Sequence, residues 1–355
     1  MGALDTKMGE RALRPEEATR MFAEAGEAAT AVRAQFAANA AAARALGERL
    51  RRRPPSIILT CGRGSSDHAA TYAKYLFETR TGVLTASAAP SISSVYAAEP
   101  KAEGALCLAI SQSGKSPDLL ASVEAAKRAG AHVVALVNNE RSPLAGLADE
   151  VLPLCAGPEL SVAATKSFIT ALAAVLQITA CWTEAPDLLA ALETLPDQLG
   201  RAWALDWSPA AHTLKGARDL YVVGRGLGFG VAQEMALKFK ETCGLHAEAF
   251  SSAEVRHGPM ALVEPGFPVL AISQDDETRP GLETVVQDLA ARGGDVIAAG
   301  LDCAGALSLP TLSAHPAVQP LLEVQSFYRM VNLLSTLRGY DPDRPPHLAK
   351  VTETV

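Results

Sequence analysis

The sequence contains an internal repeat whose two copies lie 162 residues apart. The segment GRGSSDHAATYAKYLFE begins at Gly62 and GRGLGFGVAQEMALKFKE begins at Gly224, a separation of 162 (224 − 62). The segments LAISQSGKS and LAISQDDET begin at Leu108 and Leu270 with the same separation (270 − 108). Each copy reads as strand, glycine turn, helix, strand, helix and strand, which predicts a parallel sheet with helices on both faces. The sequence therefore predicts an α/β protein of two tandem, doubly wound domains.

Composition and turn-forming residues divide the chain into four predicted parts. The stretch from Arg14 to about Arg53 is rich in Ala, Glu and Arg and predicts one or two helices, which Pro54 and Pro55 close. The two copies of the repeat are joined near residues 186–205. The predicted bounds are an N-terminal helical segment at 1–53, a first domain at 54–185, a second domain at 206–340 and a C-terminal loop at 341–355.

Charge and hydropathy exclude two classes of partner. Of the 355 residues, 48% are hydrophobic, which is enough to fill the cores of two domains. The net charge of −7 argues against nonspecific nucleic-acid binding. No apolar stretch reads as long enough to span a bilayer and the N-terminus MGALDTKMGE is polar, so we expect no membrane segment and no signal peptide. The expected location is the cytoplasm.

The six cysteines are expected to be free thiols. They are scattered without CxxC spacing, and most lie in apolar runs. This pattern does not indicate a zinc site, and the sequence predicts no metal and no other cofactor.

The densest group of acid, base and amine side chains follows the second glycine turn. Lys238 and Glu241 are three residues apart in a predicted helix that Gly244 ends, so both lie on one face. They could serve as an amine and a general base, or they could be a solvated surface pair. His257 precedes a Gly-Pro turn that could present its imidazole outward, although an isolated histidine is more often a surface or packing residue.

The loop that follows the strand 105–110 predicts a phosphate site. Its hydroxyls and the amides of the helix that Pro117 could open suit an anion, although an N-capped helix start would look similar. The corresponding loop of the second copy carries three acidic residues, which would repel a phosphate. The predicted phosphate ligands are therefore in the first copy, at Ser111, Gln112, Ser113 and Ser116.

The glycine turn of the first copy is expected to border the same ligand. Gly62 and Ser65 belong to it, but a GxG turn alone is weak evidence because any doubly wound domain needs small residues there. His68 begins the following helix and is interpreted as structural.

Five segments together resemble a known family: CGRGSS, SQSGKS, GPELSVAATKSF, ALKFKETCGLHAEAFSSAEVRHGP and PHLAK. In this order they resemble the isomerase domain of glucosamine-6-phosphate synthase, an enzyme of the sugar isomerase (SIS) family. The resemblance covers nearly everything from about Ser56 onward. It implies two SIS domains, the first binding phosphate and the second carrying the catalytic helix.

The resemblance also implies roles for single residues. Glu241 would be the base, and His257 would open the sugar ring in the site of a neighbouring subunit. Lys238 could stabilise the developing enolate-like charge or form an imine with the open-chain carbonyl. The implied assembly is a homodimer with shared active sites, and Lys350 would belong to a C-terminal loop that covers the site. From GPELSVAATKSF, Val162 and Ala164 would contact the substrate, with Ala164 standing where the family often has a serine.

The expected activity follows from comparing the N-terminal residues of this sequence with those of the synthase. The synthase carries a glutamine-hydrolysing domain with an N-terminal cysteine, whereas this chain begins Met1-Gly2-Ala3 and its first cysteine is Cys61. We therefore expect the ammonia-releasing direction, as in stand-alone SIS-type deaminases. The predicted reaction converts glucosamine 6-phosphate and water to fructose 6-phosphate and ammonia.

Other functions stay open at this stage. One is hydrolysis of a fructosamine 6-phosphate, and another is the isomerase component of an aminotransferase whose glutaminase is a separate chain. A non-enzymatic alternative is a sugar-phosphate sensor, although sensors of this kind carry a helix-turn-helix segment and typically one SIS unit. The sequence does not distinguish gluco from galacto substrates.

Overall fold

The computed structural model describes residues 14–350 and contains two five-stranded parallel sheets. The strand orders are β2-β1-β3-β4-β5 and β10-β9-β8-β6-β7. The first sheet comprises β1 (Ile58–Cys61), β2 (Thr85–Ser87), β3 (Leu106–Ser111), β4 (His132–Val137) and β5 (Glu150–Pro153). The second comprises β6 (Asp219–Gly224), β7 (His246–Ser251), β8 (Pro268–Ile272), β9 (Asp295–Ala299) and β10 (Leu307–Leu309). The predicted α/β class with two doubly wound domains is confirmed.

Helices cover both faces of each sheet. In the N-terminal segment and first domain they are α1 (Arg20–Gly26), α2 (Ala28–Arg52), α3 (Ser65–Thr81), α4 (Pro90–Ser94), α5 (Pro117–Arg128), α6 (Pro143–Leu147) and α7 (Lys166–Thr183). In the rest of the chain they are α8 (Pro186–Trp203), α9 (Ser208–Leu214), α10 (Phe229–Cys243), α11 (Arg279–Ala291) and α12 (Gln319–Leu337). The central strand β3 is buried along its whole length because both of its faces are covered.

One large apolar core joins the two sheets, and a smaller core lies on the outer face of each. Helix α8 occupies the predicted junction, and Leu188, Leu195 and Leu199 bury its apolar side in the shared core. The four-part division of the chain stays a prediction. Residues 1–13 and 351–355, at its two ends, lie outside the described residues.

The helices α3 and α10 occupy equivalent positions in the two repeats and pack directly against each other. At their crossing is Gly230, where a Cβ atom would lie 2.5 Å from the His68 carbonyl oxygen and 2.9 Å from the Tyr72 nitrogen. No larger residue fits without separating the helices. This close approach brings the start of α3 beside the charged face of α10.

Helix α7 corrects the expectation that no apolar stretch is long enough to span a bilayer. Its 18 residues have a mean hydropathy of 1.2, long and apolar enough to cross a bilayer by composition alone. In the structure, 89% of this stretch is buried inside the protein, where α2, α3 and α8 pack around it. It is therefore a core helix of the fold.

The six cysteines are free thiols, as the sequence predicts. Cys61, Cys107, Cys243 and Cys303 are buried, and Cys155 and Cys181 are half-buried. Burial raises the pKa of the Cys243 thiol to about 12.

Candidate active site

A cleft of about 350 Å³ opens at the carboxyl ends of β1 and β3. The strand order reverses between these two strands, the usual position of a ligand crevice in an open parallel sheet. Side chains from both domains and from the C-terminal segment line it. They include Ser65, Ser111, Gln112, Ser113, Ser116, Val162, Ala164, Lys238, Glu241 and Lys350.

The predicted phosphate loop forms one wall of the cleft. The Ser111 hydroxyl accepts a hydrogen bond from the Gly114 nitrogen at 2.9 Å, which curls the loop. Gly114 has a φ of +65° and lies against Ser142, so only glycine suits this position. Helix α5 begins directly after the loop, and the Ser116 side chain does not cap it. Hydroxyls and helix amides therefore converge where an anion can bind.

The second copy of this loop is closed by its own side chains. Asp276 accepts hydrogen bonds from the Thr278 nitrogen at 2.9 Å and from the Gln274 amide at 2.9 Å. A carboxylate of the protein thus occupies donors at the start of α11, which a ligand anion would otherwise use. The structure thereby gives a physical reason for the predicted divergence of the two loops.

The pair Lys238 and Glu241 is not a solvated surface pair. Lys238 is fully buried, and its Nζ lies 2.5 Å from Glu241 Oε2 and 3.3 Å from Ser65 Oγ. Burial alone would lower the pKa of Lys238, but the Glu234 and Glu241 carboxylates outweigh it and hold the pKa above its ordinary value. Lys238 is therefore an ammonium ion. It suits stabilisation of negative charge better than attack on a carbonyl.

Glu234 is a central residue that the sequence analysis missed. Its buried carboxylate lies 3.2 Å from Lys238 Nζ, accepts hydrogen bonds from Ser65 and Tyr328, and contacts His68 Nδ1 at 3.1 Å. Desolvation would raise the pKa of Glu234, but the Lys238 charge and these hydrogen bonds lower it. Its position four residues before Lys238 was the available signal, since i and i+4 share a helix face.

Lys350 reaches the cleft from the C-terminal segment. Its Nζ lies 3.2 Å from Glu159 Oε2, a fully buried carboxylate that also accepts hydrogen bonds from the nitrogens of Thr165 and Ser167. Desolvation would raise the pKa of Glu159, but the Lys350 charge and these donors lower it. The sequence analysis placed Lys350 at the site but did not identify Glu159 as its partner.

Two predicted site residues do not line the cleft. Gly62 is buried in its turn, where a Cβ atom would lie 2.9 Å from the Ser66 backbone, so it shapes the turn. His257 is exposed in the segment that follows β7 and is not among the lining residues of this cleft. A role for His257 in the site of a neighbouring subunit stays a prediction.

Arg63 is a cleft residue that the sequence analysis did not single out. Its Nε and Nη2 lie 2.9 Å and 2.6 Å from Asp118 Oδ2 at the start of α5. This contact ties the first glycine turn to the helix behind the predicted phosphate loop. The two loops that border the cleft are therefore held in a fixed relation.

Comparison with known proteins places this arrangement in a family. The SIS domain matches residues 53–180 and 213–299, which contain most of the two sheets. The chain belongs to the SIS family. A candidate phosphosugar isomerase of known structure from Silicibacter pomeroyi is 44% identical, with a TM-score of 0.88 over 92% of this chain and 100% of that one.

Aminotransferases are also among the SIS relatives. The glutamine–fructose-6-phosphate aminotransferase of Aeropyrum pernix is 36% identical over 82% of this chain, which spans 50% of that enzyme. The C-terminal domain of the Francisella tularensis glucosamine-fructose-6-phosphate aminotransferase is 26% identical, with a TM-score of 0.82 over 92% of this chain and 98% of that one. The chain thus spans about half the length of the full aminotransferases.

Proposed function

We propose that this SIS protein converts glucosamine 6-phosphate and water to fructose 6-phosphate and ammonia. The observation that carries the proposal is one cleft in which the hydroxyl-rich loop lies beside Lys238 and Glu241. An anion site and an acid–base pair in the same cleft suit an aldose–ketose rearrangement of a sugar phosphate.

Different residues of the cleft would have different roles in this reaction. The phosphate would bind to Ser111, Ser113 and Ser116, leaving the first carbons of the open-chain sugar near α10. Glu241 would take the proton from C2 and return it to C1, while the Lys238 ammonium would stabilise the negative charge that develops on oxygen. Water would then add to the C2 imine, and ammonia would leave. The reaction balances without an electron donor or acceptor.

A second candidate is the isomerase component of a glutamine-dependent aminotransferase. The sequence identity to such enzymes favours it, since this chain matches only about half of their length. In that case the same groups would act in the opposite direction, on fructose 6-phosphate and ammonia. The proposed location is the cytoplasm, and the proposed assembly is a homodimer.

The test is an assay of ammonia and fructose 6-phosphate formed from glucosamine 6-phosphate. Galactosamine 6-phosphate and a fructosamine 6-phosphate serve as parallel substrates, and the Glu241→Gln variant controls for contaminating activity. Ammonia release from glucosamine 6-phosphate alone supports the first proposal. Formation of glucosamine 6-phosphate from fructose 6-phosphate and added ammonia, with no ammonia release from glucosamine 6-phosphate, supports the second. No reaction in either direction would contradict both.

A further inference from the structure

We propose that Glu24, on the short N-terminal helix α1, is a positioning residue for the substrate wall of the cleft. This inference rests on the proposed function. Glu24 does not line the cleft, and the sequence analysis gave the N-terminal segment no role. The structure nevertheless connects it directly to the loop that carries Val162 and Ala164.

The Glu24 carboxylate binds the beginning of that loop. Its Oε1 accepts a hydrogen bond from the Leu160 nitrogen at 2.5 Å, and its Oε2 accepts one from the Ser161 nitrogen at 3.2 Å. The Ser161 hydroxyl also donates to Oε2. Glu24 is 7% exposed, so water does not compete strongly for these donors.

The end of the same loop is held by a second buried carboxylate. Glu159 accepts hydrogen bonds from the nitrogens of Thr165 and Ser167 at 3.0 and 3.1 Å. Val162 and Ala164, which line the cleft, lie between the two anchored ends. The position of this wall therefore depends on Glu24 at one side and on Glu159 at the other.

Helix α1 is also joined to the C-terminal segment. The nitrogens of Arg20 and Met21 each donate to the Asp343 carboxylate at 2.8 Å. The Asp343 carbonyl in turn accepts a hydrogen bond from the Val162 nitrogen at 3.4 Å. One helix thus contacts both the loop and the C-terminal segment that border the cleft.

Hydrogen exchange tests whether Glu24 holds the loop. In Glu24→Ala the Leu160 and Ser161 amides lose their acceptor, and we expect them to exchange at least about tenfold faster than in the wild type. Glu24→Gln keeps an acceptor oxygen, so its exchange rates at these two amides should lie between those of the wild type and of Glu24→Ala. Glu48→Gln, which changes an exposed carboxylate on α2, is the matched control and should leave exchange unchanged.

Kinetics test whether that loop positions the substrate. With glucosamine 6-phosphate, Glu24→Ala should raise KM about tenfold, with partial rescue in Glu24→Gln. A variant that was only less stable would lose active enzyme and kcat without this change in KM. Unchanged exchange would overturn the proposal, as would faster exchange with unchanged KM and kcat.

The two proposals fail in different ways. If the wild type acts on none of the sugar phosphates, the proposed function is wrong, while exchange still decides whether Glu24 holds the loop. If Glu24→Ala does not fold, Glu24→Gln carries the same comparison.

Discussion

Lys238 Nζ and Glu241 Oε2 lie 2.5 Å apart on one face of α10, and the lysine is fully buried while the glutamate side chain is 21% exposed. The lysine is enclosed between two carboxylates, and Glu241 is the more exposed of the two. This relation separates the roles of the two residues. In the proposed reaction, Lys238 would supply fixed charge and Glu241 would be the group that meets the substrate proton.

Replacing Glu241 should remove the proposed base. We expect Glu241→Gln to lower kcat by ~10²–10⁴-fold with little change in substrate binding, the usual size of a general-base contribution. The measurements are ammonia release and exchange of the C2 proton with deuterated water. Lys240→Gln, on the exposed side of the same helix, is the control. Exchange at the wild-type rate in Glu241→Gln would show that another group is the base.

Removing the Lys238 charge should destabilise the fold. Lys238→Met leaves the buried Glu234 carboxylate without its cation, and breaking a buried pair costs about 3–5 kcal/mol. The free energy of unfolding from urea titration measures this loss. The double variant with Glu234→Gln should recover part of it, because the buried carboxylate is then removed as well. Equal stability of the single and double variants would argue against the pairing.

The buried carboxyl of Glu159 should make stability depend on pH. Its pKa is lower in the folded protein than its ordinary value of 4.5, so the folded state binds its proton more weakly. The stabilisation is therefore present above that ordinary value and is lost as the pH falls through the folded-state pKa. As the pH falls, the free energy of unfolding should decrease less in Glu159→Gln than in the wild type. The same decrease in both proteins would show that Glu159 does not cause this pH dependence.

An added carboxylate in the phosphate loop should weaken substrate binding. Ser113→Asp places negative charge where the phosphate is proposed to bind, as the acidic residues do in the second copy. We expect KM to rise steeply, by at least about tenfold, with a smaller change in kcat. Thr194→Asp, on the exposed face of α8, is the charge-matched control. An unchanged KM would place the phosphate elsewhere.

Subunit mixing tests the proposed role of His257. If His257 serves a neighbouring site, inactive His257→Ala and inactive Glu241→Ala chains should regain part of the activity when subunits exchange. The recovered rate is measured beside each variant alone. No recovery, with exchange demonstrated by mass or fluorescence, would favour a site made within one chain.

The sequence by itself determined the repeated α/β pattern, the hydroxyl-rich loop after β3 and the face shared by Lys238 and Glu241. These features are local, because strand and helix periodicity and turn residues are written in short stretches. The tertiary structure decided which distant residues those stretches contact. Glu24 binds Ser161 across 137 residues, and Lys350 meets Glu159 across 191. No short pattern encodes such pairs, since they depend on how α1, α7, α10 and the C-terminal segment pack, and that packing also buries Lys238 and encloses the apolar helix α7.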